Sequence, residues 1–359
     1  MLTRIRSYSK INLGLRIGPT RPDGYHGLCT LYQTIGLYDV LTVSAQRADN
    51  TSIHITCNHP GVPCDSKNTV WKMVEWALDA MGISAEVHID IDKRLPVQGG
   101  LGAGSANAVA ALLGIERELN ESLTPTSRIW LAGQVGSDCP LFLCGGTSLG
   151  LSRGEMFVPY PDLPPMPCVI AAPAVGVSTP LAFKEWDQRM ANWLSDEIAA
   201  EQPGDADPKG QKASTGALTR QLQNDRLEEL SCVYASVFSP AGNSVTGASG
   251  VSSSGGDLAG NYLSELVRTG IANDFEEVAF AQHPSLRDIL TALEGTQVAS
   301  PDEQAITAML SGSGSSLFGL YRTEADAEAA KQRVEALGTR AMVTTTLPRN
   351  EYWRTMFEG

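Results

Sequence analysis

The sequence predicts a two-lobed α+β fold, and three observations carry that expectation. The chain has 359 residues, more than one hydrophobic core usually organises, so about two domains are expected. Strand-like alternation and helix-like spacing are interleaved along it rather than segregated. Two turn-rich stretches, 201–216 and 239–260, interrupt the second half; the latter is dominated by Gly, Ser and Ala without periodicity and reads as a mobile surface insertion. The expected division is a first lobe over 1–165 and a second over 166–359 that carries this insertion.

Ile11, Leu13, Leu15 and Ile17 alternate with Asn12, Gly14 and Arg16, the period of a strand with one buried face. The same alternation in Ile53, Ile55 and Cys57, and in Val87, Ile89 and Ile91, predicts two more strands. Between them Val70, Met73, Val74, Ala77, Leu78 and Met81 follow helical spacing, stopped by Gly82. A glycine-rich turn after Ile91 leads into an alanine-rich run over 105–115, a buried helix. Thr124 as cap and Pro125 in the first turn start another helix running towards Gly136. In the second half, 168–172 and 317–321 read as strands, and Ser178-Thr179-Pro180 signals a helix. A helix over 324–337 and a last strand over 342–345 complete a small α+β lobe. The chain shows no internal repeat.

Composition narrows the function classes. With 42% hydrophobic and 19% charged residues the chain is an ordinary globular one. A net charge of −13 argues against nucleic-acid or anionic-membrane partners, and an anionic ligand would need local compensation. No stretch approaches the roughly 18 apolar residues that span a bilayer, and the start reads as neither signal peptide nor anchor. Seven cysteines without a Cys-x-x-Cys pair suit a reduced cytoplasm. His54, Cys57, His59 and Cys64 are ligand types for zinc, but their spacing fits no standard finger and part of it alternates like a strand.

The chemistry centres on residues 96–107, Pro-Val-Gln-Gly-Gly-Leu-Gly-Ala-Gly-Ser-Ala-Asn. Glycines let backbone amides approach phosphate oxygens, and the helix that follows presents its positive end. A tight turn joining strand to helix is the plain alternative. A Walker A loop needs Gly-Lys-Ser/Thr where Gly104-Ser105-Ala106 stand. A dinucleotide fingerprint beginning at Gly100 needs Gly or Ala where Ser105 stands. Both readings fail.

The pattern Pro-x-x-x-Gly-Leu-Gly-x-Gly-Ser resembles the ATP loop of the GHMP superfamily of galactokinase, homoserine kinase, mevalonate kinase and phosphomevalonate kinase. Five further motif regions occur in the order of that superfamily's diphosphocytidyl-polyol branch, which serves the non-mevalonate isoprenoid route. The first region comprises Lys10-Ile11-Asn12-Leu13 and Asp23-Gly24-Tyr25-His26-Gly27-Leu28. The others are Gly136-Ser137-Asp138-Cys139-Pro140, Gly145-Gly146-Thr147 through Arg153-Gly154-Glu155, Asn273-Asp274-Phe275-Glu276, and Ser311-Gly312-Ser313-Gly314. Gln98, Ala103 and Ala106 depart from the usual glycine, glycine and serine, leaving a stiffer loop with one hydroxyl fewer.

The resemblance implies an N-terminal lobe like ribosomal protein S5 domain 2 and a ferredoxin-like C-terminal lobe. It implies phosphorylation by ATP, with Mg²⁺, of the 2-hydroxyl of a small diphosphocytidyl methylerythritol substrate; a mevalonate-like or homoserine-like acceptor is the alternative, as is a non-catalytic nucleotide-binding protein. Asp138 would accept the hydroxyl proton and Lys10 would pair with it, beside Asn12; alone, Asp138 would read as a turn or cap residue. Tyr25 and Phe183 would wall the cytosine, with His26 on its edge and Thr179 nearby, although each aromatic could equally be core. Gly99, Gly100, Leu101, Gly102, Gly104 and Ser105 would meet the triphosphate, and Asn68 the adenine. The protein ligands of Mg²⁺ are not readable.

Overall fold

The alternation over 11–17 is the centre of a much longer strand, β1 (Thr3–Thr20), which pairs antiparallel with β2 (His26–Arg47). In this computed structural model, which describes residues 2–97, 99–201, 272–297 and 300–358, β2 is the central element. Its second half, from Val40, pairs with β4 (Ala85–Asp92), and its first half, from Leu28 to Gln33, pairs with β5 (Thr147–Ser152). The resulting sheet runs β11 (Phe357–Glu358), β1, β2, β4, β3 (Ser52–Cys57), with β5 and β6 (Met156–Pro159) branching from β2. β3 joins β4 in parallel through the crossover helix α1 (Thr69–Met81). Residues 29–35 of β2 are buried on both faces.

Helix signals in the sequence match the observed ends. Asn68 caps α1 through its side chain, and Gly82 closes it in the left-handed conformation. Thr124 caps α3 (Pro125–Val135). The alanine-rich helix α2 spans Ala103–Leu119, longer at both ends than expected. Small side chains let it lie close on the sheet, its face joining Val109, Leu112 and Ile115 to Leu41, Val43 and Ile89 in the first core. The short α4 (Cys139–Phe142) follows α3.

The second sheet, β10-β7-β9-β8, is antiparallel throughout: β7 (Pro167–Ala172), β8 (Thr307–Leu310), β9 (Leu317–Leu320) and β10 (Arg340–Thr345). Its helices are α5 (Thr179–Glu201), α6 (Phe275–Gln282), α7 (Ser285–Glu294) and α8 (Glu324–Ala336). A third core joins the lobes, with Ile11, Leu13 and Leu31 of the first sheet packed among Ile170, Phe318 and Leu320 of the second. Leu15 and Ile17, further along β1, belong to the second lobe's own core.

The lobe boundary needs one correction. The sequence division assigns 166–359 to the second lobe, yet the chain returns: α9 (Arg349–Met356) and β11 (Phe357–Glu358) pack on the first. Tyr352 is fully buried there and its hydroxyl donates to the Phe142 carbonyl at 2.7 Å, while the Trp353 indole donates to that of Cys144. A division along the sequence has no means of registering a tail that re-enters the first core. The stretch 239–260, and all of 201–216 but Glu201, lie outside the described residues. Among the described residues no helix is long and apolar enough to cross a membrane.

Candidate active site

A cleft of about 950 Å³ opens between the lobes, lined from both by residues far apart in sequence. Its inner end is built on Lys10 of β1. The side chain is 3% exposed, and its ammonium donates to Asn12 Oδ1 at 2.6 Å and to the Gly100 carbonyl at 2.8 Å, with Asp138 Oδ2 at 3.5 Å. Lys10 and Asn12 share one face of β1 because a strand repeats every two residues. Burial drives the Lys10 pKa down, and the neighbouring Asp138 carboxylate opposes that shift. Asn12 is held in turn by donating to Thr30 Oγ1.

Asp138 stands at the start of α4 but makes no capping hydrogen bond, so its carboxylate is free of the duty a turn aspartate usually has. Its second partner is Tyr32 of β2, missed in the sequence, whose hydroxyl donates to Oδ1 at 2.9 Å. Burial first, and the Asp138 charge second, push the Tyr32 pKa well up, keeping it a donor. The Lys10 ammonium also lies 5.5 Å from the centre of the Tyr32 ring. Gly150 and Gly154, inside the motif that runs to Glu155, leave the space Tyr32 fills: a Cβ on either would press into its ring or hydroxyl. Nothing local in the sequence marks Tyr32 as polar machinery.

The glycine loop is gripped from two sides. Lys10 donates from its backbone to Leu101 and from its side chain to Gly100. From the second lobe, the Ser311 hydroxyl donates to the same Gly100 carbonyl at 3.1 Å, and the Ser316 amide to that of Gly99. Gly100 and Gly102 have φ of 74° and 69°, favourable only for glycine. A Cβ on Gly100 would also collide with the Ser311 carbonyl, and one on Gly102 would sit 2.9 Å from Phe142. α2 begins immediately afterwards, so its first amides, which have no acceptor within the helix, adjoin the loop.

The Asn273-Asp274-Phe275-Glu276 motif brackets the second-lobe turn. Asn273 Nδ2 donates to the carbonyls of Leu310 and Gly312, at 2.9 and 2.7 Å, and Glu276 Oε1 accepts from the Leu310 amide at 2.8 Å. Asp274 ties the bracket to β1 through Arg16, at 2.8 Å, and through the Ile17 amide. The turn itself reaches α5 through Ser313, whose hydroxyl lies 2.7 Å from that of Thr179.

At the outer end, Tyr25 is 56% exposed with the Arg153 guanidinium 4.9 Å from its ring centre. Phe183 lines the same cleft as Tyr25, and its ring stacks on His26, centroids 4.7 Å apart and planes 11° from parallel, and meets Phe275 in a T-shaped contact. This end of the cleft is lined by Tyr25 and a stacked His26–Phe183 pair. His26 Nε2 lies 2.8 Å from Asp187 Oδ1, a partner on α5 the sequence did not suggest. Lys10, Arg153 and Lys184 outnumber the cleft's two carboxylates, Asp138 and Asp187, supplying the positive charge an anionic ligand would need in an acidic protein.

Of the residues the resemblance singled out, Lys10, Asn12, Tyr25, His26, Gly100, Gly102, Asp138, Thr179 and Phe183 line the cleft together. Gly99, Leu101, Gly104 and Ser105 stand behind or beside it, and Leu101 is buried between the lobes. The side-chain carbonyl of Asn68, expected at the adenine, caps α1 at the Val70 amide, and its amide donates to the Pro63 carbonyl. Cys139, beside Asp138, is buried near Ser105 with its thiol pushed up to about 12 by desolvation, so it stays neutral. The four zinc-type residues do not converge. Alternation along β3 leaves His54 exposed and turns Cys57 towards the first core, while His59 Nδ1 accepts from the Gly61 amide.

The chain matches the GHMP kinases N terminal domain over residues 68–146 and the GHMP kinases C terminal family over 257–339. It is 31% identical over 353 residues to the 4-diphosphocytidyl-2-C-methyl-D-erythritol kinase of Solibacter usitatus, covering 98% of this chain and 91% of that protein. Among solved structures, a 4-(cytidine 5'-diphospho)-2C-methyl-D-erythritol kinase superposes with a TM-score of 0.61 at 24% identity, over 95% of this chain and 98% of that one. The homoserine kinase of Cytophaga hutchinsonii superposes equally well, at 0.62 and 18% identity, over 98% and 96% of the chains. The fold is thus shared by kinases named for different acceptors and does not select one.

Glu276 gives this bracket a measurable pH signature. Burial raises its carboxyl to about 7 from an ordinary 4.5, so the native state binds a proton more tightly than the unfolded chain. The stability this confers is complete below pH 4.5 and is lost as pH rises through 7, a span worth ~3 kcal/mol. Glu276→Gln keeps the acceptor for Leu310 and removes the titration. The difference in unfolding free energy between variant and parent, followed in urea from pH 4.5 to 8, should shift by about that amount in favour of the variant; a constant difference would show that Glu276 ionises as an ordinary surface group.

Proposed function

The chain belongs to the 4-diphosphocytidyl-2-C-methyl-D-erythritol kinase family of the GHMP kinases, and on that premise we propose that it transfers the terminal phosphoryl group of ATP to the 2-hydroxyl of 4-diphosphocytidyl-2-C-methyl-D-erythritol. The observation that carries the proposal is the Lys10–Asp138 pair, set against the glycine loop at one end of a cleft whose other end is aromatic and basic. Asp138 takes the proton of the attacking hydroxyl as the oxygen–phosphorus bond forms and the bond to the bridging oxygen of ADP breaks. Tyr32 holds one carboxylate oxygen, leaving the other directed towards Lys10. The Lys10 ammonium has three hydrogens, two of them engaged by Asn12 and Gly100; the third serves Asp138 or an oxygen of the transferred group.

The triphosphate meets the amides at the start of α2 and the loop over 99–105. Asn68 acts there through its cap, holding the start of α1, whose Thr69 hydroxyl donates to the Gly104 carbonyl. The cytosine lies at Tyr25 and the His26–Phe183 pair, with Asp187 holding His26 and Arg153 and Lys184 near the diphosphate. Mg²⁺ fits as an ion carried on the nucleotide's own phosphates, since of the carboxylates lining the cleft only Asp138 is near the loop and it already pairs with Lys10; when bound it neutralises phosphate charge. The free thiols among the described residues suit a reducing cytoplasm.

Coupled ADP release, measured with diphosphocytidyl methylerythritol, mevalonate and homoserine as acceptors, tests the reading. Turnover is expected with the cytidyl compound alone; preference for either of the others would replace the proposal with a sister activity. Tyr25→Ala should raise KM for the cytidyl acceptor by about tenfold or more, since base–aromatic stacking is worth ~1–3 kcal/mol, and leave that for ATP nearly unchanged. Equal rises in both would make Tyr25 a structural residue.

A further inference from the structure

The solvent-facing side of the β3–β4 pair carries a cluster that the kinase cleft does not use. Alternation along β4 sends Val87, Ile89 and Ile91 into the first core and leaves Glu86 and His88 on the other face. The parallel register sets His54 of β3 directly beside His88. Their rings stack with centroids 4.8 Å apart and planes 20° from parallel, and His88 Nε2 lies 3.1 Å from Glu86 Oε1. One ligand atom from each of His54, Glu86 and His88 lies within 4.8 Å of the others. Gln46 of β2 donates to the second oxygen of Glu86 at 3.3 Å.

We propose that His54, Glu86 and His88 form a binding site for a divalent transition-metal ion of the zinc class. Two imidazole nitrogens with one carboxylate oxygen is a donor set such ions favour, whereas Mg²⁺ and Ca²⁺ select oxygen alone. Around zinc at ~2.0–2.2 Å such atoms sit closer together than they do here. Rotation of exposed side chains closes the gap, since both histidines are solvent-exposed and the strands need not move. Gln46 steadies Glu86 in the way a partner outside the ligand set orients a ligand. Asp90, next on the same face of β4, adds negative charge that favours a cation. An edge strand needs polar side chains to discourage pairing with other chains, but any charges would serve that purpose; two imidazoles in register with a carboxylate do more. The ion would clip edge strand β3 to β4 and stabilise the folded chain by binding it selectively.

The test is a titration of the metal-stripped full-length protein with ZnCl₂ in competition with a chromophoric chelator, with melting followed in parallel. One zinc should bind per chain and raise the melting temperature. His54→Ala and His88→Ala should each weaken binding by at least ~10-fold, the scale set by disturbed metal shells, and Glu86→Gln should weaken it less. The double histidine variant should lose the zinc-dependent rise while keeping the metal-free melting temperature and the phosphoryl-transfer rate. Unchanged zinc affinity in the double variant would overturn the proposal by placing the ion elsewhere, such as on the Cys57 and Cys64 thiols. Failure of the parent chain to bind zinc at submillimolar concentration would overturn it as well.

Discussion

The Lys10 side chain is 3% exposed, and the surrounding architecture follows from keeping its ammonium there. Removing such an ion from water costs on the order of several kcal/mol, which only close acceptors and an opposite charge offset. Asn12, the Gly100 carbonyl and Asp138 are those partners. They come from β1 itself, from the loop before α2 and from the start of α4, so three separated pieces of the first lobe are fixed around one nitrogen. Tyr32 adds the central strand to the same network through Asp138. A charge held this way needs no rearrangement when phosphate charge develops beside it, which is the condition for electrostatic stabilisation to be effective.

The second lobe completes that arrangement from the other side. Its Ser311 hydroxyl shares the Gly100 carbonyl with Lys10, and Asn273 and Glu276 hold the turn that bears it. Arg16 and Asp274 link the bracket back to β1. The strand that positions Lys10 therefore also anchors the second lobe five to seven residues later, and the apolar core between the lobes is built on its Ile11 and Leu13. The fold places the glycine loop, the charge pair and the second-lobe turn in one register.

Local physics explains which parts were legible in the sequence. Alternation announced β3 and β4 because one of their faces meets water, and Thr124 and Gly82 announced helix ends because they act within a few residues. β2 went unread even though Leu41, Val43 and Ala45 alternate with Thr42, Ser44 and Gln46 in its second half; only its stretch over 29–35 is buried on both faces. The return of α9 and β11 to the first lobe depends on a contact between Tyr352 and Phe142, which no local pattern encodes. At the site, Lys10, Asp138 and the glycine loop came from ordered motifs. Tyr32 and Asp187 did not, because each matters through a partner more than a hundred residues away. The Asn-Asp-Phe-Glu motif was visible as a motif, and its bracketing role required the position of Leu310.

The central claim, that a carboxylate held by Lys10 and Tyr32 accepts the proton of the acceptor hydroxyl, is tested most directly by turnover of Asp138→Asn. The substitution preserves size and removes the charge. Under saturating ATP and cytidyl acceptor, kcat should fall by roughly 10² or more, the scale for loss of a positioned base, with both ligands still bound and the melting temperature nearly unchanged. Near-normal kcat at saturation would contradict the account and leave transfer to positioning and phosphate electrostatics alone.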